Sequence, residues 1–376
     1  MRKLCFLFST LFLVVKSEKI NFKHDLSLSP EENPKIMLHF TRGDYTDNKY
    51  LHYDYSRMTD LVLMKNQNFS SGIISFAHNQ GVRVSTKIGD NDIDKYQLNR
   101  PTYRRNKVKQ LVDFVVDNNF DGINVDCEAP FYTDFFHTGF VKFLEELKLT
   151  LASHKRNSII TIDLPYGPYQ LLCVTGRCLP WKEISEVVDY VLIMCYDAQL
   201  RPLSPEPTDP FIHVVRGWDL YIEDLNINPL KMIQAIPWYG PVYHCRTNNQ
   251  NDIKSTNDTC QTNVFTQKIQ HHLGELSKEV QLGLDQGFEI IYDEEYKSRK
   301  IIFRDEDTDE YYLAWFNCLD TLKMRFDSQA LKSGAGGVST WWAFSLDYED
   351  KSSSNVDLNE KLWGQLRDVL DELEAM

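Results

Sequence analysis

The sequence predicts an α/β fold, a (β/α)8 TIM barrel with a small insertion between its seventh and eighth strands. Eight strand-like runs alternate along the chain with helix-like runs, which is the order of elements in a parallel barrel. Several of the strand-like runs are continuously apolar, as strands that are buried on both faces require. A chain of 376 residues with 42% hydrophobic residues can bury one such core, so no second domain is required.

The predicted strands are short and evenly distributed. In chain order they are Lys35–Phe40, Asp60–Met64, Val82–Lys87, Gly122–Glu128, Ile159–Leu164, Tyr190–Tyr196, Met232–Pro237 and Gly337–Phe344. The clearest helices repeat apolar residues every three or four positions. These residues are Phe136, Phe140, Phe143, Leu144, Leu147 and Leu151 in one helix and Leu362, Leu366, Val369, Leu370 and Leu373 in the last one.

The longest interruption of this pattern covers about residues 241–332, between the seventh and eighth strands. It contains a helical pattern over Phe265–Leu284 and strand-like runs at Lys300–Phe303 and Tyr311–Phe316. Its aromatic residues argue against disorder. We therefore expect an insertion that walls one side of a cleft in a barrel domain covering residues 18–376.

Residues 1–17 have the three zones of a secretory signal peptide. Met1-Arg2-Lys3 is charged, Leu4–Val15 is apolar, and Lys16-Ser17 ends on a small residue. The apolar run of about twelve residues is too short to span a bilayer comfortably, and no later run reaches about twenty apolar residues. We therefore expect a mature protein that is secreted or lumenal and has no membrane span.

The chain is acidic, which limits its partners. Its formal net charge is −13 at pH 7, and it becomes −16 when Arg2, Lys3 and Lys16 are removed with the signal peptide. Such a surface repels nucleic acid and anionic membranes but leaves neutral sugars unaffected. We therefore expect no nucleic-acid partner, and we expect a monomer.

The cysteine content agrees with an oxidising secretory route. Without Cys5 the mature chain has seven cysteines, so at least one thiol is free. Two pairings are open, and each would close a loop: Cys173 with Cys178 and Cys245 with Cys260.

Four local signals have a plainer explanation beside the functional one. Cys127 and Cys195 could have a redox or metal role, but their apolar neighbours favour small buried residues that face outward from barrel strands. The triplets that begin at Asn68 and Asn257 would accept glycans in the secretory pathway, although such triplets also occur by chance. We expect neither a metal nor a cofactor.

The segment Asp121-Gly-Ile-Asn-Val-Asp-Cys-Glu128 is the strongest candidate for a site. Alternate residues of a strand share a face and lie roughly 6.6 Å apart, so Asn124, Asp126 and Glu128 are expected on one face. A polar inner face with an apolar outer one is typical of a barrel strand at the active-site mouth. Two carboxyls this close resist ionising together, so one keeps its proton and can act as a general acid. Glu128, the last on the strand, is our candidate.

A plainer explanation of this segment is a cation loop or a hydrogen-bonded scaffold. The calcium-loop alternative fails because the segment lacks the central Gly and the distal Glu of that pattern. The scaffold alternative has to be judged on the rest of the chain.

The segment resembles the DxxDxDxE signature of glycoside hydrolase family 18, the chitinase and chitobiase family, with Asn124 at the position of the middle Asp. Within the family, this Asn and a Leu-Asp-Tyr after the final barrel Trp are most similar to the di-N-acetylchitobiase branch. Three further motifs resemble those of the family in the same order and extend over most of the mature chain. They are Met194-Cys195-Tyr196-Asp197, Ile236-Pro237-Trp238-Tyr239-Gly240 and the strand from Gly337 through Trp341 to Asp347-Tyr348.

The resemblance implies roles for these residues. Glu128 would protonate the departing sugar and later activate water, while the 2-acetamido oxygen of the substrate acts as the nucleophile. Asp126 would bind the acetamido N–H and Tyr196 its carbonyl, and Trp341 would lie under the sugar ring. The other implied substrate contacts are Asn124, Asp197, Trp238 and Tyr239, and the implied structural supports are Asp121 and Met194.

Two of these assignments have alternatives. Asp197 fits a loop cap about as well as a sugar contact. Trp238 and Tyr239 are neighbours on a strand, so one of them should face outward.

The resemblance implies an O-glycosyl hydrolase that cleaves β-1,4-linked N-acetylglucosamine with retention of configuration. The chitobiase branch implies that it removes the reducing-end residue of di-N-acetylchitobiose in glycan degradation, with the lysosome as the favoured location. The alternatives are a secreted endochitinase and a chitin-binding lectin without catalysis. Glu128, Asp126 and Tyr196 are all present, which argues against the lectin.

Overall fold

The structure is a computed structural model, and most of the chain is described. The described residues are 20–28, 32–41, 48–64, 71–128, 135–155, 157–169, 179–199, 205–245 and 268–376.

Several sequence-based predictions lie outside these ranges. They concern the signal peptide at residues 1–17, the glycosylation triplets at Asn68 and Asn257, and Cys173, Cys178 and Cys260. Cys245 is disulfide-bonded, but its pairing with Cys260 stays a prediction because Cys260 is not described. The free thiols in the described part of the chain are Cys127, Cys195 and Cys318.

The described residues form one barrel and one additional sheet. The strands are β1 (Ile36–Thr41), β2 (Asp60–Met64), β3 (Arg83–Gly89), β4 (Gly122–Asp126), β5 (Ile159–Leu164), β6 (Tyr190–Met194), β7 (Met232–Pro237), β8 (Tyr239–His244), β9 (Lys268–His272), β10 (Ile291–Asp293), β11 (Ser298–Arg304), β12 (Tyr311–Phe316) and β13 (Gly337–Trp341). Strands β1 to β7 and β13 are parallel and close in the order β1-β13-β7-β6-β5-β4-β3-β2. The predicted fold class is confirmed.

Helices follow most of the barrel strands. They are α1 (Ser71–Asn79), α2 (Pro101–Asp117), α3 (Phe135–His154), α4 (Trp181–Val187), α5 (Phe211–Glu223), α6 (Leu273–Asp285), α7 (Leu319–Phe326) and α8 (Ser353–Glu374). The apolar residues of α8 that the sequence singles out are all buried. Within the described ranges, no helix is long and apolar enough to cross a membrane.

Each barrel strand divides its side chains between an inner and an outer layer. On β4, Ile123 and Val125 belong to the outer core beneath the helices, whereas Asn124 and Asp126 alternate with them and point inward. The inner layer is filled mainly by apolar side chains of β1, β6 and β7. This packing gives Asn124 and Asp126 a rigid, low-dielectric surrounding.

Three barrel strands end earlier than the sequence pattern suggests. Strand β4 ends at Asp126 instead of Glu128, β6 at Met194 instead of Tyr196, and β13 at Trp341 instead of Phe344. The last ladder partner of β4 is Gly89, which pairs with Asp126. Glu128 therefore lies in the loop beyond the strand, where its backbone N–H donates to the carboxylate of Asp90 over 3.0 Å.

The insertion forms an antiparallel sheet with the order β10-β11-β12-β8-β9, covered by α6. The predicted helix over Phe265–Leu284 is wrong at its start. Residues Lys268–His272 pair with β8 as strand β9, and the helix begins at Leu273. The helical spacing could not reveal this because it does not report pairing with a distant strand.

A buried ion pair joins the insertion to the barrel. Arg325 of α7 donates from Nε to Asp209 Oδ2 over 2.5 Å, and Asp209 lies in the loop between β6 and α5. Asn317 Nδ2 donates to the same carboxylate over 2.8 and 3.0 Å. Both charged side chains are fully buried, so each depends on the other for compensation of its charge.

We expect Arg325→Met to lower the free energy of unfolding by about 3 to 5 kcal/mol, because it leaves the Asp209 carboxylate buried without its cation. Arg299→Met is the matched control, since the partner of Arg299, Asp320, is half exposed and such a pair contributes about 0 to 1 kcal/mol. Urea unfolding of both variants measures the difference. Equal losses in the two variants would show that the Arg325 pair is not a structural tie.

Candidate active site

A cavity of about 160 Å³ opens at the carboxyl ends of the barrel strands. Parallel barrels place their functional side chains at this end. The predicted residues that line it are Asp126, Glu128, Met194, Tyr196, Asp197 and Trp341. Residues that the sequence reasoning missed are Lys87, Asp163, Pro165 and Tyr166. The structure therefore brings most of the predicted site together and adds one cation and one carboxyl group.

A second cavity of about 350 Å³ adjoins the first. Lys87, Asp126 and Glu128 line both cavities, and the turn at residues 89–92 bounds the second one. Glu128 thus stands at the junction of two spaces. The hydrogen bond from its backbone to Asp90 fixes the start of its loop. A proton donor at such a junction can reach a bond that links two bound groups.

Asp126 is the second carboxyl group, beside Glu128, that lines both cavities. It is 9% exposed, and its Oδ2 atom forms an ion pair with Lys87 Nζ. Its Oδ1 atom is buried and has no hydrogen-bond partner among the described residues. A buried acceptor without a partner is costly unless a ligand supplies a donor. Asp126 therefore offers one oxygen to the protein and one to a ligand.

Asn124 does not reach either cavity. It is fully buried, and its Nδ2 atom donates to Thr161 Oγ1 over 3.0 Å and to Asp163 Oδ1 over 2.8 Å. Asn124 therefore lies beneath the residues that line the cavities, and its contact with substrate stays a prediction. Both partners lie on the neighbouring strand β5, so the amide supports the site from beneath by holding Asp163.

The surroundings raise the pKa of both Asp163 and Lys87, but for different reasons. Burial raises the pKa of Asp163 well above its ordinary value, and the nearby charge of Asp126 adds to the effect. Burial alone would lower the pKa of Lys87, but the charge and hydrogen bond of Asp126 outweigh it, so that this pKa is raised. Asp163 therefore keeps its proton to higher pH than a free Asp does, and Lys87 keeps its charge to higher pH than a free Lys does.

Aromatic rings form the other wall of the first cavity. Tyr196 stacks on Trp341 with ring centroids 6.3 Å apart, and Lys87 Nζ lies 5.5 Å from the Trp341 ring centroid. Trp342 stacks behind Trp341 at 4.1 Å, and the peptide bond between them is cis. Burial raises the pKa of Tyr196 well above its ordinary value, with Asp163 as the next cause. The phenol therefore stays a hydrogen-bond donor.

Asp197 and Tyr239 meet at Thr208. Asp197 has a left-handed backbone with φ of 50° and lies beyond the end of β6, so it is free of strand alternation and lines the cavity. Thr208 Oγ1 donates to Asp197 Oδ1 over 3.0 Å and lies 3.4 Å from the Tyr239 hydroxyl. Tyr239 packs in the inner layer of the barrel, where it supports Thr208 and Asp197.

Trp238 faces away from the cavities. It is fully buried, stacks on His39 at 6.3 Å and packs edge-on against Trp363 of α8 at 5.0 Å. Its place in the outer core follows from alternation, since its neighbour Tyr239 points inward. The prediction that Trp238 contacts substrate is wrong.

Asp121 lies at the opposite, amino end of β4. It accepts hydrogen bonds from His78 Nε2 over 2.6 Å and from the Val84 backbone N–H over 2.9 Å, and Lys155 Nζ lies 3.2 Å away. Burial would raise the pKa of Asp121, but these partners lower it overall. The residue therefore ties strand starts together and is remote from the cavities.

The two charged residues that the sequence reasoning missed, Lys87 and Asp163, could have been predicted from their positions. Lys87 and Asp163 each lie near the carboxyl end of a predicted barrel strand, facing inward like Asp126. A polar residue at that position of a barrel strand predicts a site residue. In the described part of the chain, no cluster of His, Cys, Asp and Glu could hold a metal ion. The larger cavity of about 640 Å³ between α6 and α8 holds none of the predicted site residues.

Comparisons with known proteins agree with this geometry. The sequence profile described as glycosyl hydrolases family 18 matches residues 16–347. The chain is 23% identical over 330 residues to the di-N-acetylchitobiase of Mus musculus, with 84% of each protein covered. It is 24% identical over 336 residues to that of Rattus norvegicus, again with 84% of each covered.

Solved structures show the same fold. A chitinase from Chromobacterium violaceum superposes with a TM-score of 0.68 and 16% identity over 89% of this chain and 99% of that one. A family 18 chitinase from Cycas revoluta, solved in complex with (GlcNAc)3, superposes with a TM-score of 0.66 and 15% identity over 89% of this chain and 99% of that one.

Proposed function

This chain belongs to the glycosyl hydrolases of family 18 and is an O-glycosyl hydrolase, and we propose that it cleaves the β-1,4 bond of di-N-acetylchitobiose and releases the reducing-end N-acetylglucosamine. The position of Glu128 at the junction of two cavities carries this proposal. One cavity would hold the sugar whose glycosidic bond breaks, and the other would hold the leaving sugar. The relatives that bear the chitobiase name support the choice of substrate.

In the proposed first step, Glu128 donates its proton to the glycosidic oxygen as the bond to the anomeric carbon breaks. The electron pair of that bond leaves with the oxygen, and the 2-acetamido oxygen of the retained sugar attacks the anomeric carbon. The product is a cyclic oxazolinium ion and a Glu128 carboxylate. In the second step this carboxylate takes a proton from water as the water oxygen attacks the anomeric carbon. The bond between that carbon and the acetamido oxygen breaks, its electron pair neutralises the oxazolinium ion, and the configuration is retained overall.

The acetamido group would be held from two sides. Asp126 Oδ1, which has no other partner among the described residues, accepts from the acetamido N–H and faces the positive charge as it develops. Tyr196 remains protonated and can donate to the acetamido carbonyl. Fixed groups of this kind lower the barrier because they need no reorganisation during the reaction. Trp341 supplies a flat surface under the sugar ring.

The proposed mechanism leads to an acidic pH optimum. Glu128 must be protonated for the first step, and Asp163, whose pKa is raised, loses its proton only at higher pH, where it adds a second negative charge beside Asp126. Rising pH therefore removes the acid and unbalances the site, so we expect kcat/KM to fall from mildly acidic to alkaline pH. A pH–rate profile measures this. A rate that climbs steadily to about pH 9 would contradict it.

Product analysis tests the proposed substrate. Purified protein is incubated at about pH 4 to 5 with di-N-acetylchitobiose and with a longer chitin oligomer labelled at its reducing end. We expect single N-acetylglucosamine from the reducing end of both. Internal cleavage of the oligomer alone would indicate an endochitinase, and binding without any product would indicate a lectin.

We further propose that the protein works in the secretory pathway, with the lysosome as its destination. The charged and apolar zones of residues 1–17 and the disulfide at Cys245 support this route. Microscopy of the full chain with a carboxyl-terminal tag tests it. Signal in lysosomes is expected, export into the medium would favour the extracellular alternative, and cytosolic signal would exclude both.

A further inference from the structure

The inner cluster around Asp126 contains an unusual balance of charges. Four carboxyl groups and one ammonium group line the first cavity. Asp197 is held by Thr208, and the other three carboxyl groups, those of Asp126, Asp163 and Glu128, interact with the ammonium of Lys87 and form the cluster with it. With every group ionised the cluster would carry two net negative charges in a low-dielectric surrounding, which is costly. Two protons on the carboxyls would make it neutral.

The contacts indicate where these protons reside. Asp126 holds the ammonium of Lys87 directly, in a charge-assisted contact. Asp163 is 5% exposed, and its one hydrogen-bond donor in the described structure is the neutral amide of Asn124. A carboxyl that is buried beside another carboxylate, with its own cation held by that neighbour, is the one that stays protonated.

We propose that Asp163 and Lys87 are positioning residues that fix the charge state of the site, with Asp163 protonated throughout the reaction and Lys87 keeping Asp126 as the carboxylate that faces the substrate. This inference rests on the proposed function for its catalytic consequence, but the protonation state of Asp163 can be measured without turnover. Neither residue was among those implied by the sequence motifs.

The charge of the cluster changes during the reaction. Before bond cleavage the cluster holds Lys87 charged, Asp126 charged, and Glu128 and Asp163 neutral, so its net charge is zero. Transfer of the Glu128 proton leaves one net negative charge in the protein opposite the single positive charge of the oxazolinium ion. Charge that develops only in the transition state is what a preorganised site stabilises selectively. Asp163 contributes by remaining neutral.

The proton on Asp163 can be observed by infrared difference spectroscopy. We expect the spectrum of the wild type minus that of Asp163→Asn, recorded at about pH 6, well above the ordinary pKa of an Asp, to contain the carbonyl band of a protonated carboxyl. Asp121→Asn is the matched control. Asp121, directly before β4, is about as buried as Asp163, but its pKa is lowered, so its difference spectrum should contain carboxylate bands alone. A carboxylate signal from Asp163 would overturn the proposal.

The pH profile of kcat/KM provides the catalytic readout. Asp163→Asn, a neutral isostere, should keep kcat/KM within about tenfold of the wild type, with the acid and alkaline limbs of the profile in place. Asp163→Ala removes one of the two acceptors of the Asn124 amide and should lose more. Lys87→Met should move the acid limb to higher pH, because Asp126 then takes up a proton more readily. Asp121→Asn should leave both limbs in place.

The outcomes separate this inference from the proposed function. A wild type that does not cleave chitobiose, but shows the protonated band, would refute the substrate and leave the charge assignment standing. A wild type that cleaves it, but shows an ionised Asp163 or an acid limb that Lys87→Met does not move, would refute the inference alone. Circular dichroism spectra of all variants establish that they are folded.

Discussion

Glu128→Gln is expected to lower kcat on di-N-acetylchitobiose by at least about a hundredfold while KM changes little. The amide keeps the shape of the side chain and its place between the two cavities, but it has no proton to give to the glycosidic oxygen. Binding should persist because Trp341, Tyr196 and Asp126 are unchanged. Steady-state kinetics and calorimetric titration of the variant measure the two quantities.

Glu145→Gln is a suitable control for this substitution, since Glu145 lies on the surface of α3 and is remote from both cavities. It should have wild-type kinetics. If Glu128→Gln retained near-normal turnover, Glu128 could not be the general acid. Loss of binding together with turnover would instead indicate that the carboxyl serves to hold the sugar.

Asp126→Asn is expected to have the second-largest effect, a fall in kcat of about a hundredfold to a thousandfold. The amide can still meet the acetamido group, but it carries no negative charge to face the oxazolinium ion, and it leaves Lys87 without its counterion. Because the lost interaction strengthens in the transition state, kcat and kcat/KM should fall together. Kinetics at the pH optimum of the wild type test this.

Asp197→Asn is the matched comparison, because Asp197 also lines the cavity but lies beyond the strand end and bonds Thr208. We expect it to raise KM more than it lowers kcat. Similar kinetic changes in the two variants would argue that Asp126 contributes no more to the transition state than any carboxyl of the cavity.

The barrel was predictable because each strand carries its own signal. The predicted runs Ile159–Leu164 and Met232–Pro237 coincide with observed strands, since burial on both faces requires a mainly apolar sequence. Strand ends beside the site were not predictable in this way. Glu128 continues the alternation of β4 in the sequence, but the pairing of β4 with β3 ends at Asp126. The position of Glu128 is therefore set by the loop that follows the strand.

Contacts between strands were also beyond the sequence pattern. The pairing of Asn124 with Asp163 joins residues on β4 and β5, and the ion pair of Lys87 with Asp126 joins β3 and β4. Spacing along one strand indicates which side chains share a face, but it does not show which residues of the next strand they meet. The sequence spacing therefore places Asn124 against substrate, whereas in the structure its Nδ2 atom donates to Thr161 and Asp163.

Trp238 shows a similar limit. The motif that contains it resembles a cleft strand of the family, and two adjacent aromatics in a strand cannot both face the cleft. Only the packed structure shows that Tyr239 points inward and that Trp238 packs against α8.

Turnover of two matched disaccharides tests whether the acetamido oxygen of the substrate is the nucleophile. One is di-N-acetylchitobiose, and the other carries a trifluoroacetamido group on its non-reducing sugar, which makes that oxygen a poorer nucleophile. We predict that kcat falls by at least about tenfold, corresponding to about 1.4 kcal/mol of the barrier, with little change in KM. Equal kcat for the two substrates would contradict the account.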